Sequence, residues 1–554
     1  MNKLSRYVGL LLLTVVFTLG SCTDLTETVD DQVTSENFFQ TDQEFVSALG
    51  DAYGPLSRWG GHNGNSSNNE ISTDEMIVTQ KGADWEDGGV WIRMKRHTFA
   101  YDDPNINNAW LDLYSGVNNC NRLIFQFESL VEEGTVSQED AAGFIAELKV
   151  LRAFYYLQLL DNFGNVPIIT QFEGADENPS QPSQNFQEGR TAVFNFVEDE
   201  VTANMDQLSE DVGSTYGRVN KWVAHMILAK LYLNAEVYTG TERWSDVVTQ
   251  ANAIIDSGNF SMAANYEDNF VVNNEGSPEF IFAVPYDQVF LQGFNMVMMT
   301  NHVAAQSMFE LQAQPWNGYA TMEEFYRSYI DPQQNPGPQG TVFGIEPTSE
   351  ETPGVEEVQG TLDDRLSNFI VGPAFSTSGE RISDDGATAA DPNGAPISFH
   401  PQIFNLEPNG LRQAGARVGK FKFEIGATSN MNNDFPIYRY TDVLLMKAEA
   451  LWRMDNSDAE ALRLVNMVRN RAGVDDFNSL TADRLLAERG REMFYEIFRR
   501  QDLIRFEGDE GATEFNDSWK FKQTSPDWRN VFPIPRDQLE ANNNLVQNPG
   551  DYQG

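Results

Sequence analysis

Between Asp140 and Phe163 two apolar stripes run along one stretch of chain. Leu148, Leu151, Tyr155 and Leu159 recur at the three- and four-residue spacing of one helix face, and Val150, Phe154 and Leu157 at that of a second. A helix that is apolar on several sides must be covered on most of them, so this segment predicts a layered helical body. It stops at Asn162-Phe163-Gly164-Asn165 with Pro167 just beyond, as a glycine-terminated helix does. Ala109–Phe127 reads as another helix, interrupted at Gly116.

Two later stretches pair helices across short breaks. Asn220–Tyr238 and Trp244–Ser257 flank Thr239-Gly240-Thr241-Glu242, and Thr441–Met454 and Asp458–Ala472 flank a few polar residues. Each pair spans roughly the 34 residues of a tetratricopeptide-type hairpin, and Ala224, Ala229, Ala235, Ala448 and Ala450 fall where helices approach closely. The pairs are not tandem in sequence. Residues 258–436 between them are rich in Gly, Pro and Asn, with Asp331–Gly340 a clear loop. The expected fold class is mainly α: a tetratricopeptide-like helix-pair scaffold carrying long irregular loop insertions, which are the segments that usually carry function.

The amino terminus follows a separate logic. Lys3 and Arg6 precede an apolar run from Val8 to Leu19, which ends at Leu19-Gly20-Ser21-Cys22. That order marks a secretory signal, too short for a membrane span. The segment resembles the lipobox of a bacterial lipoprotein, which implies cleavage before Cys22 and acylation of it; an ordinary signal with a chance cysteine is the alternative. Residues 22–43 read as a polar tether. With Cys22 acylated, only Cys120 remains, a small packed helix residue, so an intrachain disulfide is excluded. The five histidines show no pair at metal-ligand spacing. The net charge of −44 excludes nucleic acid as a partner and weakly favours neutral ligands over anionic ones, with adaptation to a saline medium or simple solubility as the stronger alternative reading of that charge.

A family pattern emerges from the motifs taken in order. They are Ser35-Glu36-Asn37-Phe38-Phe39, Asn118-Asn119-Cys120-Asn121, Leu151-Arg152-Ala153-Phe154-Tyr155-Tyr156 running to Phe163-Gly164-Asn165-Val166-Pro167, and Gly217-Arg218-Val219-Asn220-Lys221. The second half adds Pro436-Ile437-Tyr438-Arg439-Tyr440 through Ala450, Val468-Arg469-Asn470-Arg471, Glu488-Arg489-Gly490-Arg491-Glu492, Phe532-Pro533-Ile534-Pro535 and Asn548-Pro549-Gly550. The chain resembles the SusD/RagB family of nutrient-binding lipoproteins of the Bacteroidetes type; Glu496-Ile497-Phe498-Arg499-Arg500 departs slightly from a Glu-Gly-His-Arg-like sequence of many relatives. The resemblance implies four tetratricopeptide-like helix pairs under a looped face and an outer-membrane location facing the cell exterior. It also implies a SusC-type TonB-dependent transporter as partner, a glycan or other nutrient as ligand, and no catalysis or cofactor. The corresponding division is residues 1–21 as signal, 22–43 as lipidated tether, 44–257 as an amino-terminal helical region, and 258–554 as a carboxy-terminal region packed with it as one unit.

Most of these motif residues are expected to hold the fold. Glu488, Arg489, Arg491 and Glu492 lie on one helix with i, i+3 opposite charges, which reads as a structural salt-bridge network, as do Arg439, Asp442, Lys447 and Glu449. A glycan site wants exposed Trp or Tyr, for sugar C–H faces, beside short polar side chains. Two loop-like segments have that mixture: Arg58–His97, with Trp59, Trp85 and Trp91, and Gln314–Tyr319, with Trp316, Asn317 and Tyr319. Each tryptophan can equally pack its own loop, whereas Trp110, Trp222, Trp244 and Trp452 lie on helical patterns and read as core. Calcium would take oxygen ligands such as Asp84, Glu86 and Asp87, or Asp363 and Asp364, but no EF-hand motif supports it. Peptide capture, a scaffold that binds no nutrient, and a lipid-anchored glycoside hydrolase remain alternatives. The hydrolase would need paired carboxylates about 5–9.5 Å apart, which 82 acidic residues do nothing to single out.

Overall fold

The computed structural model describes residues 39, 41–330, 340–349, 352–358, 363–384 and 395–553. The signal segment 1–21, Cys22, most of the 22–43 tether and residues 331–339 of the proline-rich loop lie outside these. Two compact units are distinguished, residues 1–47 and 48–554. In the first, the Glu44 carboxylate accepts from the Thr41 amide (2.8 Å) and hydroxyl (2.9 Å), capping the Asp42–Tyr53 helix, and the Phe39 and Phe45 rings meet at 5.2 Å.

The second unit is a stack of helices, and the mainly α, tetratricopeptide-like scaffold is present. Helix Pro104–Glu132 packs on Gln138–Phe163, which packs on Phe186–Asn204; Lys221–Leu233 follows and packs on Trp244–Ser257. The next neighbour in space is Tyr440–Met454, followed by Ala459–Arg471 and Ala482–Met493. Helix pairs separated in sequence are therefore continuous in space. The base of the intervening insertion is closed by an antiparallel sheet in which Phe280–Val284 pairs with Phe435–Arg439. Strand Met76–Val78 pairs with Tyr319–Thr321, tying the insertion to the amino-terminal loops.

Helix Gln138–Phe163 has the two buried stripes its sequence requires, with Leu148, Val150, Leu151, Phe154, Leu157 and Leu159 all at 1% exposure or less. Gly116 does not interrupt its helix, which runs unbroken from Pro104 to Glu132. It marks a close crossing instead: a Cβ there would stand 2.4 Å from the Tyr155 ring. The expected Asn220–Tyr238 helix is broken at Asn234 into Lys221–Leu233 and Ala235–Thr239. Phe532 donates its amide to the Asn162 carbonyl (2.7 Å), and Asn548 Nδ2 bridges the Phe163 and Phe532 carbonyls, so the carboxy terminus is strapped over this helix end. Trp110, Trp222 and Trp244 are core, while Trp452 is half-buried. Cys120 is fully buried, and burial pushes its thiol well above the ordinary range.

The charged motifs form a network, but not at the surface. Arg439, fully buried, reaches Glu279 (3.0 Å), Glu492 (2.8 Å) and Glu496 (2.8 Å). Arg365 reaches Asp363 (2.7 Å), Glu488 (2.8 Å) and Glu492 (3.0 Å), and Arg471 joins Glu279 and Glu492. Arg491–Glu488 is the i, i+3 pair the spacing suggested; Arg489 turns to Asp442 and Asp502 on other helices. Burial alone would raise the Glu492 carboxyl, yet Arg471, Arg439 and Arg365 override it and hold the group below its ordinary range. Lys447 stays peripheral, 3.9 Å from Glu460.

Candidate functional site

The two loop segments singled out by composition meet. Trp85 Nε1 donates to the Trp316 carbonyl (2.7 Å), and the Trp85 ring stands edge-on to Trp91 at 5.6 Å. On its other side Trp316 contacts the His62 ring at 5.1 Å. Two ring pairs, Trp91–Trp85 and Trp316–His62, are thus joined through the Trp316 carbonyl, linking segments more than 200 residues apart.

Its positions follow from local backbone. Residues 316–318 run beside 298–301, with amides of Trp316, Asn317 and Gly318 donating to the carbonyls of Met298 (2.7 Å), Asn301 (3.0 Å) and Met299 (2.6 Å). Gly318 lies against the Trp85 indole, where a Cβ would be 2.5 Å from Cζ2, so glycine lets the indole close onto the 316–318 backbone. Trp85 itself adopts φ +59, an uncommon conformation for a bulky residue, held by the bond to Trp316 and by the turn that follows, where Asp87 Oδ2 accepts from Trp91 Nε1 (2.7 Å).

Beside the rings lies a polar cleft of about 360 Å³ lined by Arg58, His62, Asn63, Asn108, Asp112 and Asn295, with Gly61 and Gly293. Asn108 and Asp112, four residues apart, share one face of helix Pro104–Glu132. Burial lowers the His62 pKa, which keeps the ring neutral, between the amide groups of Asn63 (3.1 Å) and Asn295 (3.0 Å). Burial raises the Asp112 pKa, against the opposing pull of the Arg58 guanidinium with which it pairs. The cleft therefore presents neutral amides, one neutral imidazole and one ion pair. Such a set donates to and accepts from hydroxyl groups without demanding a charge.

Of the six expected contact residues, the structure leaves Trp85 and Trp316 with half-exposed rings. Trp91, 3% exposed, backs Trp85. Trp59 is 6% exposed and packs on Phe154 at 5.5 Å, so the apolar core takes it despite its glycine-rich surroundings. Asn317 is buried, donating to the Arg412 carbonyl (3.1 Å), and Tyr319 is buried in its strand opposite Val78. These three have no free surface to offer a ligand. His62 and Asn63 of the cleft lie in the Arg58–His97 segment singled out by sequence, whereas Asn108, Asp112 and Asn295 carried no sequence signal.

A larger cavity of about 570 Å³ lies elsewhere, lined by Arg190, Glu236, Arg453, Glu507 and Trp528 among others. There the Trp528 faces are taken by Gly550 and the Arg529 guanidinium. Asp84, Glu86 and Asp87 do not converge: Glu86 caps the Gly88 amide and Asp87 holds Trp91. Asp363 is bound to Arg365. Among the described residues no group of three or more acidic, histidine or cysteine side chains is placed to hold a metal ion, and no helix is long and apolar enough to cross a membrane.

Comparison with known proteins places the chain among relatives. Residues 278–550 match the model of the SusD family, and residues 30–233 match a model described as "Starch-binding associating with outer membrane". A SusD-like protein of Bacteroides ovatus is 25% identical over 434 residues, covering 76% of this chain and 70% of that protein. The starch-binding protein SusD of Bacteroides thetaiotaomicron is 22% identical over 502 residues, covering 87% and 84%. Among solved structures, a surface glycan-binding protein A from Bacteroides thetaiotaomicron in complex with laminarihexaose superposes with a TM-score of 0.65 at 21% identity, covering 92% of this chain and 99% of that one. That likeness carries the fold.

Proposed function

The chain belongs to the SusD family, and on that premise we propose that it captures glycans at the cell surface, binding them along the Trp85–Trp316 edge and in the adjoining polar cleft. The observation that carries this reading is that His62 belongs to both: its ring touches Trp316 and its face lines the cleft. A sugar ring stacked on Trp316 has its hydroxyls within the reach of amides that are already oriented. Neutral glycans suit the site, since its one cation is paired and the chain carries −44 overall. The names of the relatives, starch-binding and glycan-binding, support the ligand class. The proposal extends to outer-membrane association, which the description of the matching family model supports, and to lipid on Cys22 and hand-over to a SusC-type TonB-dependent transporter, which rest on the sequence resemblance. The role is binding, not turnover.

Affinity electrophoresis of the purified chain through gels containing neutral or acidic polysaccharides, in low and high salt, tests this. Retardation by a neutral glycan without released product is expected, and Trp316→Ala should weaken it by about 2 kcal/mol or more, roughly thirtyfold. Released oligosaccharides would point to the hydrolase. No retardation by any glycan would refute the reading and favour peptide capture or a scaffold.

A further inference from the structure

Following the cleft residues His62-Asn63 in the chain is a short helix, Asn65–Ile71, that is polar in sequence (Asn-Ser-Ser-Asn-Asn-Glu-Ile) and buried at every position. Asn69 bonds the Asn65 carbonyl (2.8 Å) and Asn162 (3.0 Å), and Asn68 bonds the Asn105 carbonyl (3.0 Å). At its end two carboxyl groups, Glu70 and Glu75, lie 1% exposed. Each uses one oxygen in the same way: Glu70 Oε1 accepts from the Ile497 amide (2.7 Å) and Glu75 Oε2 from the Tyr495 amide (3.3 Å). Tyr495 and Ile497 sit at φ +55 and +69, so the two carboxyls brace a turn with two residues in uncommon conformations. The other oxygen of each, Glu70 Oε2 and Glu75 Oε1, has no hydrogen-bond donor among the described residues.

The Glu70 and Glu75 side chains lie within hydrogen-bonding reach of one another, and two buried carboxylates so placed cannot both stay charged with two unsatisfied oxygens. A proton between them removes one charge and satisfies both atoms. We propose that Glu70 and Glu75 share a proton under the aromatic site, and that this proton positions helix Asn65–Ile71 and strand Met76–Val78 against the 494–498 turn. Both ends of that assembly reach the site: the helix begins two residues after Asn63, and the strand pairs with Tyr319–Thr321, which begins three residues after Trp316. Cleft geometry and pH are thereby linked. The inference rests on the proposed glycan site for its functional meaning but not for its test.

The charged and titratable groups facing the pair come from every neighbouring element. Lys420 and Glu496 face Glu70; Arg499, Asp74 and Lys95 face Glu75; the Tyr319, Tyr495 and Tyr329 hydroxyls surround both. Burial first, opposed by the Ile497 amide and Lys420, pushes Glu70 up to about 7. Burial and then the Glu70 charge push Glu75 well above the ordinary carboxylate range. Both shifts have one sign: the native state holds protons that the unfolded chain releases above its ordinary value, so stability falls as pH rises. Burial lowers Lys95 to about 7 and Lys420 to about 8, which gives the opposite slope, so a comparison with a variant is needed to isolate the pair.

The test is urea unfolding of the full chain from pH 5 to 7, wild type against Glu75→Gln and Glu70→Gln. A glutamine keeps the shape and can still donate to the remaining carboxyl. One proton held only by the native state changes the unfolding constant by about tenfold per pH unit. We expect the wild type to lose stability relative to Glu75→Gln by that factor as pH rises. Hydrogen exchange of 61–66 and 494–498, corrected for intrinsic rates, should follow the same difference. Parallel pH slopes, with equal protection, would overturn the proposal and indicate a buried water at the two oxygens. No ligand is present in either measurement, so failure here is distinct from failure to bind glycan.

Discussion

Replacing Glu492 by glutamine should be the most destructive isosteric change in this chain. The carboxylate, fully buried, takes bonds from Arg365 (3.0 Å), Arg439 (2.8 Å) and Arg471, which come from three separate elements. Glutamine has nearly the same volume, so no cavity forms and the effect is electrostatic. Removing one partner of a buried pair typically costs about 3–5 kcal/mol, because it leaves charge in low dielectric. Here the three guanidiniums keep other carboxylates, Asp363, Glu279, Glu488 and Glu496 among them, which sets the expectation at the lower end, about 3 kcal/mol. The exposed Arg463–Glu460 pair (2.6 Å) is the control, and Arg463→Ala should cost no more than about 0.5 kcal/mol. The assay is urea unfolding at pH 7 and at pH 3.5. Glu492 and Glu488 are both held low, Glu488 at about 2, by arginines that outweigh burial. A depressed carboxylate contributes stability that is full above its unfolded value and lost as pH falls towards its folded one. The gap between wild type and Glu492→Gln must therefore narrow on acidification. An effect no larger than that of Arg463→Ala, or a gap that widens at pH 3.5, would refute the reasoning.

Other substitutions separate packing from binding. Gly116→Ala drives a methyl into the Tyr155 ring and should cost about 1–3 kcal/mol in urea unfolding. Gly318→Ala displaces Trp85 from Trp316, so glycan retardation should weaken while the unfolding midpoint moves little; a variant that binds normally would remove Trp85 from the site. Trp59→Ala opens the core beside Phe154 and should cost about 3–5 kcal/mol, with affinity per folded molecule unchanged. Adding a calcium chelator should alter neither the unfolding midpoint nor the retardation, because Asp84, Glu86 and Asp87 serve the loop or solvent.

The scaffold was legible because helical periodicity is local. Asp140–Phe163 announced its burial through two stripes, and the structure differs by two residues at its start. Gly116 misled because a glycine in a helix reads as a break, whereas here it admits Tyr155, which no local pattern reveals. The charged motifs were correctly read as structural, but spacing along one helix gave only the i, i+3 pairs. Their partners Glu279, Arg365 and Arg439 lie far away in sequence, so burial became visible only in three dimensions. For the tryptophans, composition found the right two segments but could not tell Trp59 from Trp85. The difference is that Phe154 covers one ring, and a turn at positive φ holds the other half-exposed. The cleft amides escaped notice because Asn108 and Asn295 are ordinary residues until the fold sets them opposite His62.

The two-stranded sheet that joins Phe280–Val284 to Phe435–Arg439 has an evolutionary corollary. It fixes where the ligand-facing excursion leaves the helices and where it returns, independent of what lies between. Closing a flexible loop costs only about 0.6 kcal/mol more for each doubling of its length. Exposed loops between these strands can lengthen, shorten or be exchanged at little thermodynamic cost, whereas buried anchors such as Arg365 cannot. The sheet works as a clasp for the insertion, and exposed loops between its strands can be exchanged for new specificity provided that the buried anchors, Arg365 and strand Tyr319–Thr321, are kept.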